Sequence, residues 1–390
     1  MDFSLTEQHI IFQDMVKKFA EKEMAPLVEE YEEREEFPMQ LWPKWGEIGV
    51  LGLKYPEAYG GTPADSIYEC ILMEEFGRVC QGMTASIAVS GVIVTPLVYK
   101  VGTKKQMEKY LPPVIKGEKT FAVAITEPNC GSDVAAIRTN ATEDGDYYVI
   151  NGSKTFVTNG TFADHLIVVA KTETKAGKKG ETLFIVDKGT PGLNVAKKLK
   201  KLGWRSSETA ELVFENCRVP KENMLGEINR GFYHIMEMFV TERFTMGSMS
   251  VGLARASFEA SLKYAREREA FGRPIGTLQA TGFKLDDMAA QTEMARLLTH
   301  KAAWTFDQGK DARKEACMAK CYASEFALKC TAAAIQVHGG YGFMHEYPVS
   351  RYFRDTKVLE IGGGPSEIQR GIILQLIGFP EYTHSGIPES

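Results

Sequence analysis

The residues best suited to chemistry lie in short, widely spaced segments. Phe121 to Thr126 reads as a strand running into Glu127-Pro128-Asn129-Cys130-Gly131-Ser132-Asp133, a Pro-Gly turn flanked by the hydroxyls of Thr126 and Ser132. Exposed backbone N–H groups beside hydroxyls suit a pyrophosphate or a flavin edge. Lys154-Thr155-Phe156-Val157-Thr158-Asn159-Gly160 sets an aromatic ring and a hydroxyl two residues apart, on one face of a strand. In Arg266-Glu267-Arg268-Glu269-Ala270-Phe271-Gly272-Arg273-Pro274, with Gln279 beyond, Arg268 stands at a helix end where a guanidinium can grip a phosphate. Gln336-Val337-His338-Gly339-Gly340-Tyr341-Gly342 supplies glycines that let a dinucleotide approach the backbone. In Gly362-Gly363-Gly364-Pro365-Ser366-Glu367 the glycines lead into a helix with Pro365 at its first turn, which leaves free amides beside a ligand. Taken singly, each has an ordinary structural reading as a turn, a half-buried strand or, for His338, a packed histidine.

Such segments need elements to hold them. The chain has 390 residues, 44% hydrophobic and 25% charged, enough for a large soluble core in two or three domains. Residues 1–120 read as helical: Ser4 and Glu7 fit a capping box, Ile11, Met15, Phe19 and Ala20 keep helical spacing, and residues 39–53 form a further amphipathic helix. Residues 121–230 change to short β runs, 147–150, 165–170, 182–186 and 210–214, with turns at Asn151-Gly152 and Asp187 to Gly189, as in an antiparallel β domain. Residues 231–390 return to helix, with one long periodic stretch over 232–268 and small residues at Gly247, Ser248, Ser250 and Gly252 for close packing. Helix, then β, then helix excludes Rossmann and TIM architectures, in which strands and helices alternate.

The net charge of −5 argues against a nucleic-acid partner. The basic run Lys197, Lys198, Lys200 and Lys201 reads as a solvated strand edge. Seven cysteines, odd in number and without a C-x-x-C pair, point to buried thiols in a reducing compartment. No export signal is visible at Met1 to Thr6 and no apolar run reads as membrane-spanning, so a bacterial cytoplasmic protein, or a mature mitochondrial matrix one, is expected.

Together, in this order over essentially the whole chain, the five segments resemble the acyl-CoA dehydrogenase family. The resemblance implies a mainly α fold with an N-terminal helical domain, a middle antiparallel β-barrel domain and a C-terminal four-helix domain. It implies FAD as cofactor, an acyl-CoA substrate, electron transfer flavoprotein as oxidant, and a homotetramer in which a neighbouring subunit holds part of the FAD. Carried over by position, Thr126, Ser132, Phe156, Thr158, Arg268, Gln279, Gln336, Gly339, Gly340 and Glu367 are the FAD contacts. Ser132, Tyr233, Thr241, Arg243, Gly363 and Gly364 are the substrate-side residues.

The sequence departs from the family pattern where most members carry the catalytic Glu, because that position is Gly363. Isovaleryl-CoA and long-chain members place the Glu earlier, directly before an Arg, and here Glu242-Arg243 fills that place between Phe239 and Phe244. The resemblance therefore implies Glu242 as the base and the Gly363 N–H as a donor to the thioester oxygen. Pro365 and Val240 replace residues that usually contact the flavin and CoA. Gly362 and Gly363 remove side chains that normally wall the acyl pocket. A branched, cyclic or aryl-bearing acyl group is therefore expected, with Phe239 or Phe244 partly refilling the space. Isovaleryl-CoA leads, and a benzylsuccinyl-type dicarboxylic thioester is second. An acyl-CoA oxidase and a non-catalytic flavin-binding scaffold are the rival readings.

Overall fold

The computed structural model describes residues 4–379. Helix α1 (Glu7–Phe19) starts at Thr6, whose side chain accepts from the His9 N–H while His9 reaches back to the Thr6 N–H. This capping box replaces the one expected at Ser4 and Glu7, because a histidine at the third helical position does the work of the usual Glu or Gln. The helix buries His9 and Val16, its C-cap Ala20 is buried too, and Ile11 is left exposed. Helix α2 (Val28–Arg34) is followed by α3 (Leu41–Glu47), which buries Leu41, Trp42 and Trp45. The helix expected over 39–53 stops there, since Gly49 adopts φ 76° and breaks the ladder.

Helices α4 (Ser66–Val79) and α5 (Gln81–Ile87), a π-helical segment (Ala88–Val94), α6 (Thr95–Val101) and α7 (Lys104–Ile115) complete this region. Against expectation, Gln81–Val101 has the length and composition of a membrane span. Its apolar window is 83% buried within the protein, which marks it as core.

The middle region holds β1 (Phe121–Ala124), β2 (Asn140–Asp144), β3 (Tyr147–Thr158), β4 (His165–Lys171), β5 (Glu181–Asp187), β6 (Leu193–Lys198), β7 (Thr209–Pro220) and β8 (Met224–Leu225). They form an 8-stranded sheet in the order β6-β7-β3-β2-β4-β5-β8, with β1 added against β4. Pairing is antiparallel except that β1 and β2 each meet β4 in parallel. Lys197 and Lys198 lie exposed on the edge strand β6, in keeping with an edge kept from aggregating. Asn151-Gly152 is not a turn: it sits inside β3 at a register shift against β7. Gly152, at φ 150°, lets Thr139 pack where a Cβ would lie 2.4 Å from the Thr139 Oγ1.

The C-terminal region is built on α8 (Gly231–Glu267), a β9–β10 hairpin (Glu269–Ala270, Arg273–Pro274), α9 (Gln279–Asp307), α10 (Arg313–His338), α11 (Val349–Thr356) and α12 (Ser366–Leu376). The small residues of α8 allow the expected close approach: a Cβ on Gly252 would lie 2.3 Å from the Glu74 carbonyl oxygen. Arg255 of α8 donates to Glu74 at 3.0 Å and Glu75 at 2.7 Å, and Arg296 of α9 donates to Glu74 at 2.9 Å. These half-buried ion pairs join α4, α8 and α9. The start of α8 is fixed separately, with Gly231 packed on the Glu181 carbonyl of β5. So α8 is held from both neighbouring regions along its length.

Candidate active site

Glu242 lies on α8, one turn before Met246, and faces the glycine turn that precedes α12. A Cβ on Gly363 would sit 3.1 Å from the Glu242 Oε1 and 2.8 Å from the Met246 Sδ. The carboxyl group thus occupies the space that a side chain from position 363 would enter. Its Oε2 is buried and meets no hydrogen-bond partner among the described residues. Burial pushes the Glu242 carboxyl up to about 7, against the opposing pull of the Arg243 and Lys320 charges. A carboxyl so placed can exchange a proton near neutral pH.

The turn itself is unusual. Gly363 has φ 64° and Gly364 φ 88°, both in the left-handed region that an L side chain rarely adopts. Its carbonyls are pinned. The buried Gln369 amide donates to the Gly363 oxygen at 3.0 Å and to the Gly364 oxygen at 2.9 Å, and Lys320 of α10 donates to the Gly364 oxygen at 2.8 Å. Among the described residues the Gly363 N–H meets no acceptor, so a donor stands free beside the Glu242 carboxyl.

The other substrate-side nominees are more varied. Tyr233 is half-buried near the start of α8, with the Arg230 guanidinium 4.5 Å from its ring centre. The Thr241 hydroxyl donates to the Met238 carbonyl of its own helix at 2.9 Å. Arg243 is buried, with its Nε unpartnered among the described residues and its guanidinium 6.0 Å from the Phe239 ring. Val240 is buried with Cys70 and Phe244 in a packed cluster. Phe244 does not refill the acyl side, because its ring packs on Phe306 with Lys54 above it. Met246 takes that place, with its methyl 3.5 Å from where a Gly362 Cβ would be.

In the middle region, Thr126 lies against the β3 segment that carries Phe156 and Thr158, and Ser132 follows in the turn after β1. The Thr155 N–H donates to the Thr126 carbonyl at 2.9 Å, and a Cβ on Gly131 would sit 4.0 Å from Thr126. A register shift between Lys154 and Val157 bulges β3, and Phe156 adopts φ 58° with 68% of its surface exposed. A bulge that re-aims an exposed ring is a common device beside binding sites. The Asn159 side chain donates to the Ser86 carbonyl at 3.0 Å, tying this segment to α5.

Arg268, Gly339 and Gly340 come together elsewhere, around a cavity of about 430 Å³ shared with Tyr264, Ile275, Val337, His338, Tyr341 and Met344. Arg268 caps the C-terminal end of α8, and nothing lies within 4 Å of a Cβ built on Gly339 or Gly340. Gln279 and Gln336 are exposed near the ends of α9 and α10, and Glu367 is exposed on the first turn of α12. None of these three lines the cavity. Pro365 caps α12 rather than entering its first turn. His338 is buried, donates from Nδ1 to the Ala334 carbonyl at 2.8 Å, and stacks on Tyr264, as a packed histidine does.

Sequence reasoning passed over Met246, Lys320 and Gln369. Lys320 had a signal: it is a lone cation on an Ala/Cys stripe of α10, among Ala316, Cys317, Ala319 and Ala323, all buried.

Comparison with known proteins agrees with this arrangement along the chain. The family described as acyl-CoA dehydrogenase matches in its N-terminal domain over residues 6–118, its middle domain over 122–217 and its C-terminal domain over 229–378. A probable acyl-CoA dehydrogenase of Bacillus subtilis is 42% identical over 374 residues, covering 96% of this chain and 98% of the relative. A 3-(aryl)acrylate reductase of Clostridium sporogenes is 41% identical over 371 residues, covering 94% and 98%. The solved structure of butyryl-CoA dehydrogenase from Megasphaera elsdenii superposes with a TM-score of 0.94 at 36% identity, covering 97% of this chain and 100% of that one.

Proposed function

The chain belongs to the acyl-CoA dehydrogenase family, FAD-dependent oxidoreductases of CoA thioesters, and within it we propose that Glu242 is the base that desaturates a branched, cyclic or aryl-bearing acyl-CoA between Cα and Cβ. The observation that carries this reading is the Glu242 carboxyl standing 3.1 Å from the place a Gly363 side chain would fill. The base is supplied from α8 because the turn cannot supply it.

In this reading the Gly363 N–H donates to the thioester oxygen and stabilises the negative charge that grows there as the α proton leaves. Glu242 takes that proton, and its raised proton affinity suits it to accept from carbon near neutral pH. The Arg243 guanidinium balances the carboxylate before transfer. The buried Met238 and Met246, on the Glu242 face of α8, exclude water from one side of the carboxyl.

The residues present fit FAD. Gly339 and Gly340 leave a cradle that any Cβ would fill, Arg268 offers a guanidinium to a pyrophosphate, and Phe156 presents an exposed ring from a bulged strand. Thr126, Ser132 and Thr158 would hold the ring system beside Phe156. Gln279, Gln336 and Glu367 would meet the remainder. Bound FAD supplies the acceptor for the β hydride.

The Arg268 cavity shares no lining residue with the Glu242 turn. That separation supports a flavin spanning two chains of a homotetramer. The exposed Phe283, Met294, Leu297 and Trp304 on α9 give such an assembly an apolar face. Electron transfer flavoprotein is the oxidant in this reading.

The same residues serve the reverse reaction, with protonated Glu242 delivering a proton to Cα. The aryl acrylate reductase among the relatives makes that direction worth assaying with the same variants. The test of the base is Glu242→Gln: the holoprotein should keep FAD and bind acyl-CoA, yet lose flavin bleaching by roughly 10²–10⁴-fold. Near-normal bleaching would place the base elsewhere.

A further inference from the structure

Lys320 is a fully buried lysine whose charge nothing in the reaction described above requires. It lies on α10 with no exposed surface, among Ala316, Cys317, Ala319 and Ala323. Its ammonium makes one hydrogen bond among the described residues, to the Gly364 carbonyl at 2.8 Å. Burying an ammonium with one partner is expensive. Two neighbours give it a reason to stay. Glu242 lies across the same glycine turn and attracts it, and so does Glu360, from the 3₁₀ turn before Gly362. The burial itself pushes the Lys320 ammonium down to about 8 despite those attractions.

The turn it holds has little else to define it. Gly362, Gly363 and Gly364 follow one another, and a run of glycines has the widest conformational freedom of any backbone. The aim of the Gly363 N–H depends on the path of the chain that follows it. Gln369 of α12 holds the plane after Gly363 through the Gly363 carbonyl, and Gln369 and Lys320 of α10 together hold the next plane through the Gly364 carbonyl.

We propose that Lys320 is a positioning residue with two effects on one turn: it pins the Gly364 carbonyl so that the Gly363 donor is held in place, and its charge keeps Glu242 ionised and ready to accept a proton. The charged groups facing Glu242 are Arg243 from its own helix and Lys320 from α10. Those facing Lys320 are Glu242 and Arg243 of α8, Cys321 beside it, and Glu360 of the 357–360 turn. Removing Lys320 leaves Arg243 as the remaining counter-charge. A nearby opposite charge holds a carboxyl down, by about one unit where the pair is close. Without Lys320, Glu242 should therefore be ionised only at a higher pH.

This inference rests on Glu242 being the base, so its test includes that variant. The rate of anaerobic flavin bleaching by a saturating acyl-CoA is followed from pH 6 to 9, at about half-unit steps, for the FAD-loaded wild type, Lys320→Met, Lys320→Arg and Glu242→Gln. Lys320→Met should shift the rising limb of the profile upward by about one unit, giving roughly a fivefold deficit at neutral pH that closes toward pH 9 if only the charge effect acts. Loss of the pin adds a pH-independent deficit on top. Lys320→Arg should restore the position of the limb, because a guanidinium keeps the charge. A Lys320→Met profile lying on the wild-type one overturns the inference. So does a Lys320→Met protein that cannot hold FAD while Lys320→Arg can, because the lysine is then a folding element. So does a Lys320→Arg profile shifted as far as that of Lys320→Met. A Glu242→Gln protein that bleaches normally overturns the base assignment, and a silent Glu242→Gln with an unshifted Lys320→Met overturns only the role of Lys320.

Discussion

Adding one methyl group at position 363 should separate the parts of this site. Gly363→Ala forces a Cβ into a backbone at φ 64°, where an L residue costs about 1–2 kcal/mol relative to its preferred region. The new carbon would meet the Met246 Sδ at 2.8 Å and the Glu242 Oε1 at 3.1 Å. The thioether is flexible and can swing away at little cost. The carboxyl cannot, because its Oε2 is buried against protein. The substitution therefore moves the base by several tenths of an ångström and tilts the neighbouring N–H, while the fold survives. Misplacement on that scale can cost about 10²-fold in rate. The expected result is a yellow, folded protein whose acyl-CoA affinity is close to normal and whose flavin bleaching falls by roughly 10²-fold. Adding Met246→Ala should relieve the shorter contact and recover only part of the loss, since the 3.1 Å approach to Glu242 remains. Stopped-flow bleaching at saturating substrate measures it. A Gly363→Ala rate within about twofold of wild type would show that neither the carboxyl position nor the Gly363 donor limits the reaction.

Met246→Ala alone should enlarge the space beside the reacting carbons and improve kcat/KM for a branched or aryl acyl-CoA relative to butyryl-CoA, by about tenfold if one well-packed group is exchanged for substrate. An unchanged ratio in a substrate panel would remove Met246 from the acyl wall. Arg268→Gln should weaken FAD retention by about ten- to a hundredfold, as expected for losing a charge-assisted hydrogen bond, with flavin release on dilution as the readout. Glu181 concerns stability. Both of its carboxyl oxygens are buried without partners among the described residues, and burial pushes it up from 4.5 to about 7. A carboxyl raised in the folded state holds its proton longer there than in the unfolded chain, so stability falls as pH climbs from about 4.5 toward 7. Glu181→Leu should thus raise stability at pH 8 by at most ~3 kcal/mol, read as a higher Tm, with little gain near pH 4.5. Equal gains at both pH values would contradict the assignment.

The order of regions was legible because texture changes are large-scale signals: helical spacing, then alternating β runs, then a long period-3.6 helix that runs over Gly231–Glu267. The errors are local, and each has a physical cause. The first capping box moved from Ser4 to Thr6 because His9 can reciprocate, and sequence patterns look for an acid or amide there. The helix over 39–53 was cut short because Gly49, neutral in a hydrophobic pattern, took up a left-handed conformation. Asn151-Gly152 carries the strongest short hairpin signal, yet β3 runs through it as a bulge. The deciding contact is with Thr139, which no local window contains.

The site divides in the same way. Glu242 and Gly363 are 121 positions apart, and the sequence related them through the family's two placements of the base, with an absence at one and an apolar setting at the other. What it left open was the content of the space between them. A missing Tyr and Glu read as an open pocket, and Phe239 and Phe244 were the natural fillers because they flank the base. Helix geometry decides otherwise for Phe244. Phe244 is two residues from Glu242, which rotates it about 200° away, onto Phe306 of α9. Met246 is four residues on, which returns it to the same face as Glu242, against Gly362 and Gly363. Beside the base stands a flexible thioether where Phe244 would have been a rigid ring. Such a side chain accepts a bulky acyl group by moving, where a fixed cavity would have to match it in advance.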